Sequence, residues 1–595
     1  RVDAARRSTP CDRFSRVWSP AAEYIMFGCG WFPWTRIADS KPSAPAPAPE
    51  HFHLPAPIPG WSQGQGFASG RIILGDLEVL KISKFEPVWC SSPSQDKKNC
   101  ISFYKPVGIP AGFFSLGHYC QTSTRPLHGF VLAAREATHI LSTANPPALQ
   151  KPSDYTLVWS PGVGSGMNLS DCGYFWLPQP PKGYKATGYL VTGKPEKPNM
   201  DEVRCVRADL TDRCETHKLL LDSSTGFPEC PFRVWTTRPS HRGMLGRGVS
   251  VGTFFCSSHW ASMGDELCIA CLKSTNMALH DAMPSLAQIH TLINQYGPRV
   301  FFHPDETYLP SSVSWFFKKG ALLYRTGGLS GVLIDANGSN LPAGGSNDGE
   351  YWIDLPCDDD EWRESTMHGD LESTVLYVHV KPAMGGVFTD IAMWVFCPFN
   401  GPVTLKVGIV NMSLSKIGEH VCDWEHFTLR ISNFSGELWS VYFSQHSGGE
   451  WVDAPDLEYI EGNRCAVYSS KSGHASFPCP GCYIQGSTRL GVGVRNDAAR
   501  SDLFVDSSTR YEIVAAEYLG EGAVPEPCWL QFMREWGPTV VYNSTTELDK
   551  LIKVLPSAFR YSVENVIDRL PVELYGEEGP TGPKEKNNWV GDERS

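Results

Sequence analysis

The sequence predicts a mainly β protein: an N-terminal β-prism-like domain of three repeated units, then a C-terminal β-sandwich with a few peripheral helices. Three observations carry that expectation. Short β-branched and aromatic runs recur while long 3.6-residue periodicities are scarce, 55 glycines and 46 prolines punctuate those runs, and one segment repeats along the chain. At 595 residues the chain also exceeds what one hydrophobic core serves, so two or more domains are expected.

Residues 1–60 read as a disordered segment ending in a tether, because Lys41 to Gly60 alternates proline and alanine in the manner of an extended polyproline helix. No methionine opens the chain and Met26 is the first, which suggests that residues 1–25 are translated upstream sequence. Over residues 61–275, Pro110-Ala-Gly-Phe-Phe-Ser-Leu-Gly-His118 matches Pro181-Lys-Gly-Tyr-Lys-Ala-Thr-Gly-Tyr189. Each follows an aromatic pair, Phe103-Tyr104 or Phe175-Trp176. A fainter copy runs from Phe232 to Phe254, so Gly117, Gly188 and Gly252 are expected at equivalent points of three β units. Leu286, Ile289, Leu292 and Ile293 predict one amphipathic helix in a linker over 276–297. Residues 298–545 return to strands, and 546–595 read as a helix from Glu547 to Arg569 followed by a polar surface tail.

A formal charge of −12 with no Lys/Arg-rich block argues against nucleic acid as a partner. No apolar run reaches 18 residues, so no transmembrane helix is expected, and the first 25 residues lack a secretory apolar region. An odd count of 19 cysteines fits reduced thiols in a cytoplasmic protein; five glycosylation sequons point weakly the other way. Cys268-Ile-Ala-Cys271 and Cys479-Pro-Gly-Cys482 have ligand-like spacing but lie far apart without paired histidines, which disfavours zinc. No Gly-x-Ser-x-Gly elbow or His-Glu-x-x-His motif occurs.

Chemistry concentrates in Gly418-Glu-His-Val-Cys-Asp-Trp-Glu-His426. Asp423, Glu425, Phe427, Leu429 and Ile431 share one face of a strand, and Trp424, His426, Thr428 and Arg430 the other, so two carboxylates begin a face that ends in the core. At i and i+2 they stand about 7 Å apart, and their repulsion calls for a cation or hydrogen-bond donors. With His420 at the strand entrance, the residues suit a mixed oxygen and nitrogen metal site or, alternatively, rim carboxylates satisfied by backbone amides or arginine. His303, His446 and His474 sit in loop contexts, as does Asp305-Glu306, and could join that cluster or move protons.

These motifs, with Arg299-Val-Phe-Phe-His-Pro-Asp-Glu306, Ser444-Gln-His-Ser-Gly-Gly-Glu-Trp451, Ser472-Gly-His-Ala-Ser-Phe-Pro478 and Tyr575-Gly-Glu-Glu-Gly-Pro-Thr-Gly-Pro583, closely resemble the plant branch of the vacuolar protein sorting-associated protein 62 family over about residues 26–595. That resemblance implies a plant protein with a role in protein transport, cytoplasmic or peripheral at endomembranes or the vacuole. Gly418 to Glu425 is also similar to the Gly-His-Arg-His-Asp-Trp-Glu heptapeptide of the necrosis- and ethylene-inducing-like toxins, which bind a divalent cation and sphingolipid sugar headgroups. Carried over, the ligands fall on His420, Asp423 and Glu425, with Asn400 where the toxins place an aspartate; Cys422 replaces a histidine and one extra residue follows Gly418. Oxygen-dominated coordination favours magnesium, calcium or manganese over zinc, and the resemblance implies lipid headgroups or glycans as partners. The leading expectation is a non-catalytic binding protein. Its alternative is a metal-dependent hydrolase using His446 or His474 for proton transfer, and toxin-like membrane lysis is a more remote one.

Overall fold

The computed structural model describes residues 50–61, 66–91, 100–137, 146–160, 172–222, 232–257, 266–276, 282–357, 359–407, 410–413, 417–446, 448–487, 492–540 and 579–593. Residues 1–49 and the helix expected over 547–569 lie outside these. The chain is mainly β, with 43% in strands and three α-helices among the described residues.

Residues 77–136, 149–207 and 211–273 each contribute six strands in one repeating order. In every unit the second, third and fifth strands form one antiparallel sheet, and the first, sixth and fourth another. The fifth strands are Tyr119–Thr122, Leu190–Thr192 and Phe254–Ser257, so Gly117, Gly188 and Gly252 each stand two residues before an equivalent strand. The units converge there: Thr187 Oγ1 donates to the Leu116 carbonyl at 3.0 Å and Thr253 Oγ1 to the Thr187 carbonyl at 2.6 Å. Phe103 lies edge-on to Phe175 and Phe254 at 4.9 and 5.2 Å, the packing that aromatic quadrupoles favour. A Cβ at Gly188 would stand 2.6 Å from Thr253 Cγ2 and 3.1 Å from the Leu116 carbonyl oxygen. Gly188→Ala is therefore expected to cost about 1–3 kcal/mol in denaturant unfolding, and adding Thr253→Ser, which keeps the hydroxyl and removes Cγ2, to recover part of it.

Helix α1 (Leu286–Tyr296) follows; Ser285 and Gln288 form a capping box, and Ile289, Leu292, Ile293 and Tyr296 are buried. The second half is organised by a six-stranded sheet of β1 (Leu376–Ala383), β2 (Phe388–Asn400), β3 (His420–Ser432), β4 (Leu438–Gln445), β5 (Gly448–Asp453) and β6 (Tyr511–Ala515), in the order β5-β4-β3-β2-β1-β6. Along β3 the alternation read from the sequence holds. Phe427, Leu429 and Ile431 pack with Val300, Val467 and Val505 of a second sheet and with α1, while Trp424 enters a separate cluster with Phe316 and Phe317 of α2 (Val313–Lys318), Trp529 and Trp536. Phe388, at the start of β2, packs into the core of the repeat domain, and Asn400 ends the strand 12 residues later, roughly 40 Å away.

Two terminal segments differ from expectation. Residues 50–60 do not hang free: Glu50 and Phe52 exchange backbone hydrogen bonds with Leu127, and Ala56 exchanges two with the Asn463 amide. An extended polyproline-like segment has no internal hydrogen bonds, so its amides and carbonyls are available to other partners. Nor are residues 579–593 a surface tail. Trp589 and Glu593 are each 3% exposed, and Trp589 stacks on His379 at 3.8 Å. Gly and Pro in this segment mark a strap that follows the sheet, and its polar residues find partners inside.

Candidate functional site

The site gathers at the Asn400 end of the central sheet. Asn400, Cys397 and Val395 of β2 stand opposite His420, Asp423 and Glu425 of β3. Between the first two pairs both strands lose their alternation: Cys422 takes a left-handed φ of 56°, and Phe399, Val421 and Cys422 all enter the tryptophan cluster. Strict alternation would put His420 on the face opposite Asp423; the irregularity brings it within electrostatic reach of that carboxylate.

Asp423 is paired with a neighbour that the sequence placed only loosely. His474 Nδ1 lies 2.9 Å from Asp423 Oδ2, and His474 Nε2 lies 2.8 Å from the Tyr308 carbonyl, which can only accept. Both nitrogens therefore hold protons when Asp423 is ionised, and the pair is a buried carboxylate–imidazolium. Burial alone would depress the His474 pKa, but contacts with Cys397 and Asp423 and the charge of Glu306 outweigh it and raise it well above the ordinary value. Burial likewise opposes the Asp423 charge, and His474 reverses this, holding the carboxyl below its usual range. Glu425 is compensated less: burial and the Asp423 charge push it up to about 8 against the charges of Lys586 and His474 and a hydrogen bond with Ser444. Glu306 secures the loop, its carboxylate accepting from the backbone amides of Ser472, Thr307 and Tyr308.

His446 completes the rim. Its Nε2 lies 3.0 Å from Asn496 Oδ1, and a Cβ built on Gly473 would be 3.8 Å from His446 Cε1 and 4.0 Å from Asn400 Oδ1. His420 Nδ1 donates to the Cys422 carbonyl at 2.7 Å, and Asn400 Nδ2 donates to the carbonyls of Gly401 and Gly418 at 3.1 and 2.6 Å. Of six non-glycine residues with positive φ among those described, four lie here: Cys422, His446, Ser472 and His474. His303 Nδ1 accepts from the Asp305 amide in the turn that leads to Glu306. Among the described residues no three His, Cys, Asp or Glu side chains draw together as a metal cluster. Sequence reasoning missed Asn496, Tyr308 and Cys397, which carry no motif and reach the site through strand register and loop closure.

Fold and site together define a large β protein in which a threefold-repeat domain and a strained, acceptor-rich rim occupy opposite ends of one sheet. The chain belongs to the vacuolar protein sorting-associated protein 62 family, whose model matches residues 48–593. No curated protein matches it. Among solved structures it is similar to GNIP1Aa from Chromobacterium piscinae, at 16% identity over 38% of this chain and 41% of that one, with a TM-score of 0.29. Necrosis and Ethylene inducing Protein 2 from the causal agent of cocoa's witches' broom disease shares 13% identity over 40% and 78% of the two chains, TM-score 0.20. NLPPya, solved in complex with glucosamine, shares 12% over 40% and 79%, TM-score 0.21. No helix among the described residues is long and apolar enough to cross a membrane.

Proposed function

We propose that the protein is a non-catalytic recognition protein of vacuolar sorting that binds polyol groups, of a glycan or a lipid headgroup, at the Asn400 end of the central sheet, with a divalent cation ordering that end. The observation that carries this reading is the gathering of four left-handed non-glycine residues around acceptor-rich side chains. Each such residue costs about 1–3 kcal/mol, and strain of that kind concentrates at ligand sites. The donor set suits a hard cation. His420 uses Nδ1–H on a carbonyl, which leaves the Nε2 lone pair as a ligand, and Asn400 uses both amide hydrogens, which leaves Oδ1. With Asp423 and Glu425 these favour magnesium, calcium or manganese. A bound ion would supply charge against the two carboxylates and coordination to hydroxyl groups. Hydrolysis is the poorer reading, since both nitrogens of His474 are engaged and Nε2 of His446 is held by Asn496.

Calorimetric titration with the chloride salts of the three cations should give saturable binding to the wild type. Glu425→Gln should weaken it at least about tenfold. That variant is preferable to Asp423→Asn, which would also break the buried pair. Glycan arrays and vesicles of stated headgroup, each with and without chelator, separate the two ligand sources. Absence of both cation binding and retention on either surface would overturn the proposal.

A further inference from the structure

The third repeat unit carries a pair of thiols that the proposed binding site does not use. Cys214 opens the strand Cys214–Asp222, and Cys271 opens Cys271–Lys273, the last strand of the unit. Cys271 pairs with Asp212 in antiparallel register, so two residues further on the chain sets Cys214 beside Ile269, whose carbonyl accepts from Cys214 Sγ at 3.1 Å. That register makes Cys214 and Cys271 diagonal neighbours on one face, and both lie with Ile269 in one buried cluster. Both cysteines are nearly fully buried, yet Cys214 forms part of the wall of a half-open cavity of about 360 Å³, together with Lys185, Asp212, Arg213 and Glu266. A small neutral molecule can therefore approach a sulfur that bulk reagents do not reach.

We propose that Cys214 and Cys271 form a peroxide-responsive dithiol, with Cys214 as the attacking thiol and Cys271 as its resolving partner. The Cys214 thiolate attacks one oxygen of hydrogen peroxide; the O–O bond breaks, the other oxygen leaves as hydroxide and is protonated to water, and Cys214 becomes a sulfenic acid. Cys271 sulfur then attacks Cys214 sulfur; the S–O bond breaks, and the departing hydroxide takes the Cys271 proton as a second water. Two thiols and one peroxide give one disulfide and two waters. The division of roles follows from access, since Cys214 lines the cavity beside Lys185 and Cys271 is not among its lining residues; the electrostatics run the same way. The hydrogen bond from Cys271 holds the Cys214 thiol below its usual range against the effect of burial, aided by Lys185, whereas burial and the neighbouring Cys214 push Cys271 well above it. The bond would tie the start of the edge strand Cys214–Asp222 to the start of Cys271–Lys273, the central strand of the unit's other sheet, closing the chain between 214 and 271.

The test titrates the full chain with hydrogen peroxide, quenches with an alkylating agent and maps linked peptides by mass spectrometry. The expected result is a Cys214–Cys271 disulfide, reversed by dithiothreitol, at peroxide concentrations that leave the exposed Cys90 and Cys528 reduced. In Cys271→Ser, Cys214 should stop at a sulfenic acid captured by dimedone added with denaturant at the quench; in Cys214→Ser, Cys271 should stay reduced. Near-ultraviolet circular dichroism establishes that each variant is folded. Oxidation of Cys90 or Cys528 first, or a bridge from Cys214 to the exposed Cys268 instead, would overturn the assignment.

Discussion

Replacing Glu593 with alanine is expected to lower the unfolding free energy by about 3–5 kcal/mol, read as a fall in denaturant midpoint with an unchanged slope. The carboxylate is buried beneath the strap. It accepts from Thr428 Oγ1 at 2.6 Å, faces His426 Nε2 at 3.0 Å and lies 3.8 Å from the Lys381 ammonium, itself 1% exposed. Burial opposes its charge, and His426 and Lys381 together hold its pKa down to about 2. Alanine would leave Lys381 with the carbonyls of Asn588, Trp589 and Gly591 but no counter-charge in contact. Because the folded pKa is depressed, this contribution is present above the unfolded value of about 4.3 and is lost as the pH falls towards 2. Glu593→Gln should fall between wild type and alanine, since it keeps an acceptor for Thr428.

His474→Ala is expected to cost a similar amount, about 3–5 kcal/mol, because Asp423 would remain buried with its imidazolium removed. The pH profile distinguishes this pair from simple packing. Asp423, with a lowered pKa, stabilises fully above about pH 4 and loses that effect as the pH falls; His474, with a raised pKa, stabilises fully below about 6.5 and loses that effect as the pH rises. Glu425 works in the same direction as His474. Its carboxyl is raised to about 8, so its burial increasingly costs stability as the pH climbs from about 4.3 towards that value. Wild-type stability should therefore peak between about pH 4 and 6.5. Equilibrium unfolding from pH 3 to 9 checks this, and His474→Ala should flatten both arms that the pair creates.

The sequence made the periodic parts of this protein legible. Spacing alone placed Gly117, Gly188 and Gly252 at corresponding points of three units, assigned α1, and sorted the residues of β3 from Asp423 to Arg430 onto their two faces. These follow from local pattern, where burial demands a regular repeat. At the Asn400 end of the sheet, place could be read and pairing could not: Asp423, Glu425, His420, Asn400, His446 and His474 all reach that end, but a histidine 51 residues away serves Asp423 as its cation. The irregularity at Cys422 could not be read either, because a left-handed cysteine carries no compositional mark. The strap was misread for a related reason. Lys584, Glu585, Lys586, Asp592 and Glu593 read as a solvated run, and only the fold supplies the buried partners, Lys381, Thr428, His426 and Arg430, that reverse the meaning of two of them.

The strap also sets an order of events. Residues 579–593 leave the ribosome after every strand of the central sheet has been made. Until they arrive, Arg430 has Asp390 for company but Lys381 and His426 face an open groove, and the indole that covers His379 is missing. Because this contact joins residues more than 160 positions apart, its closure entropy is met late, and the nascent protein must persist with an uncovered polar seam. The same segment reaches Arg242 of the third repeat unit through Asp592, so its docking joins the two halves in one step. A chain stalled or cut short of this point would present that seam, with its unpaired charges beside the tryptophan cluster, to whatever quality-control factor recognises unfinished proteins.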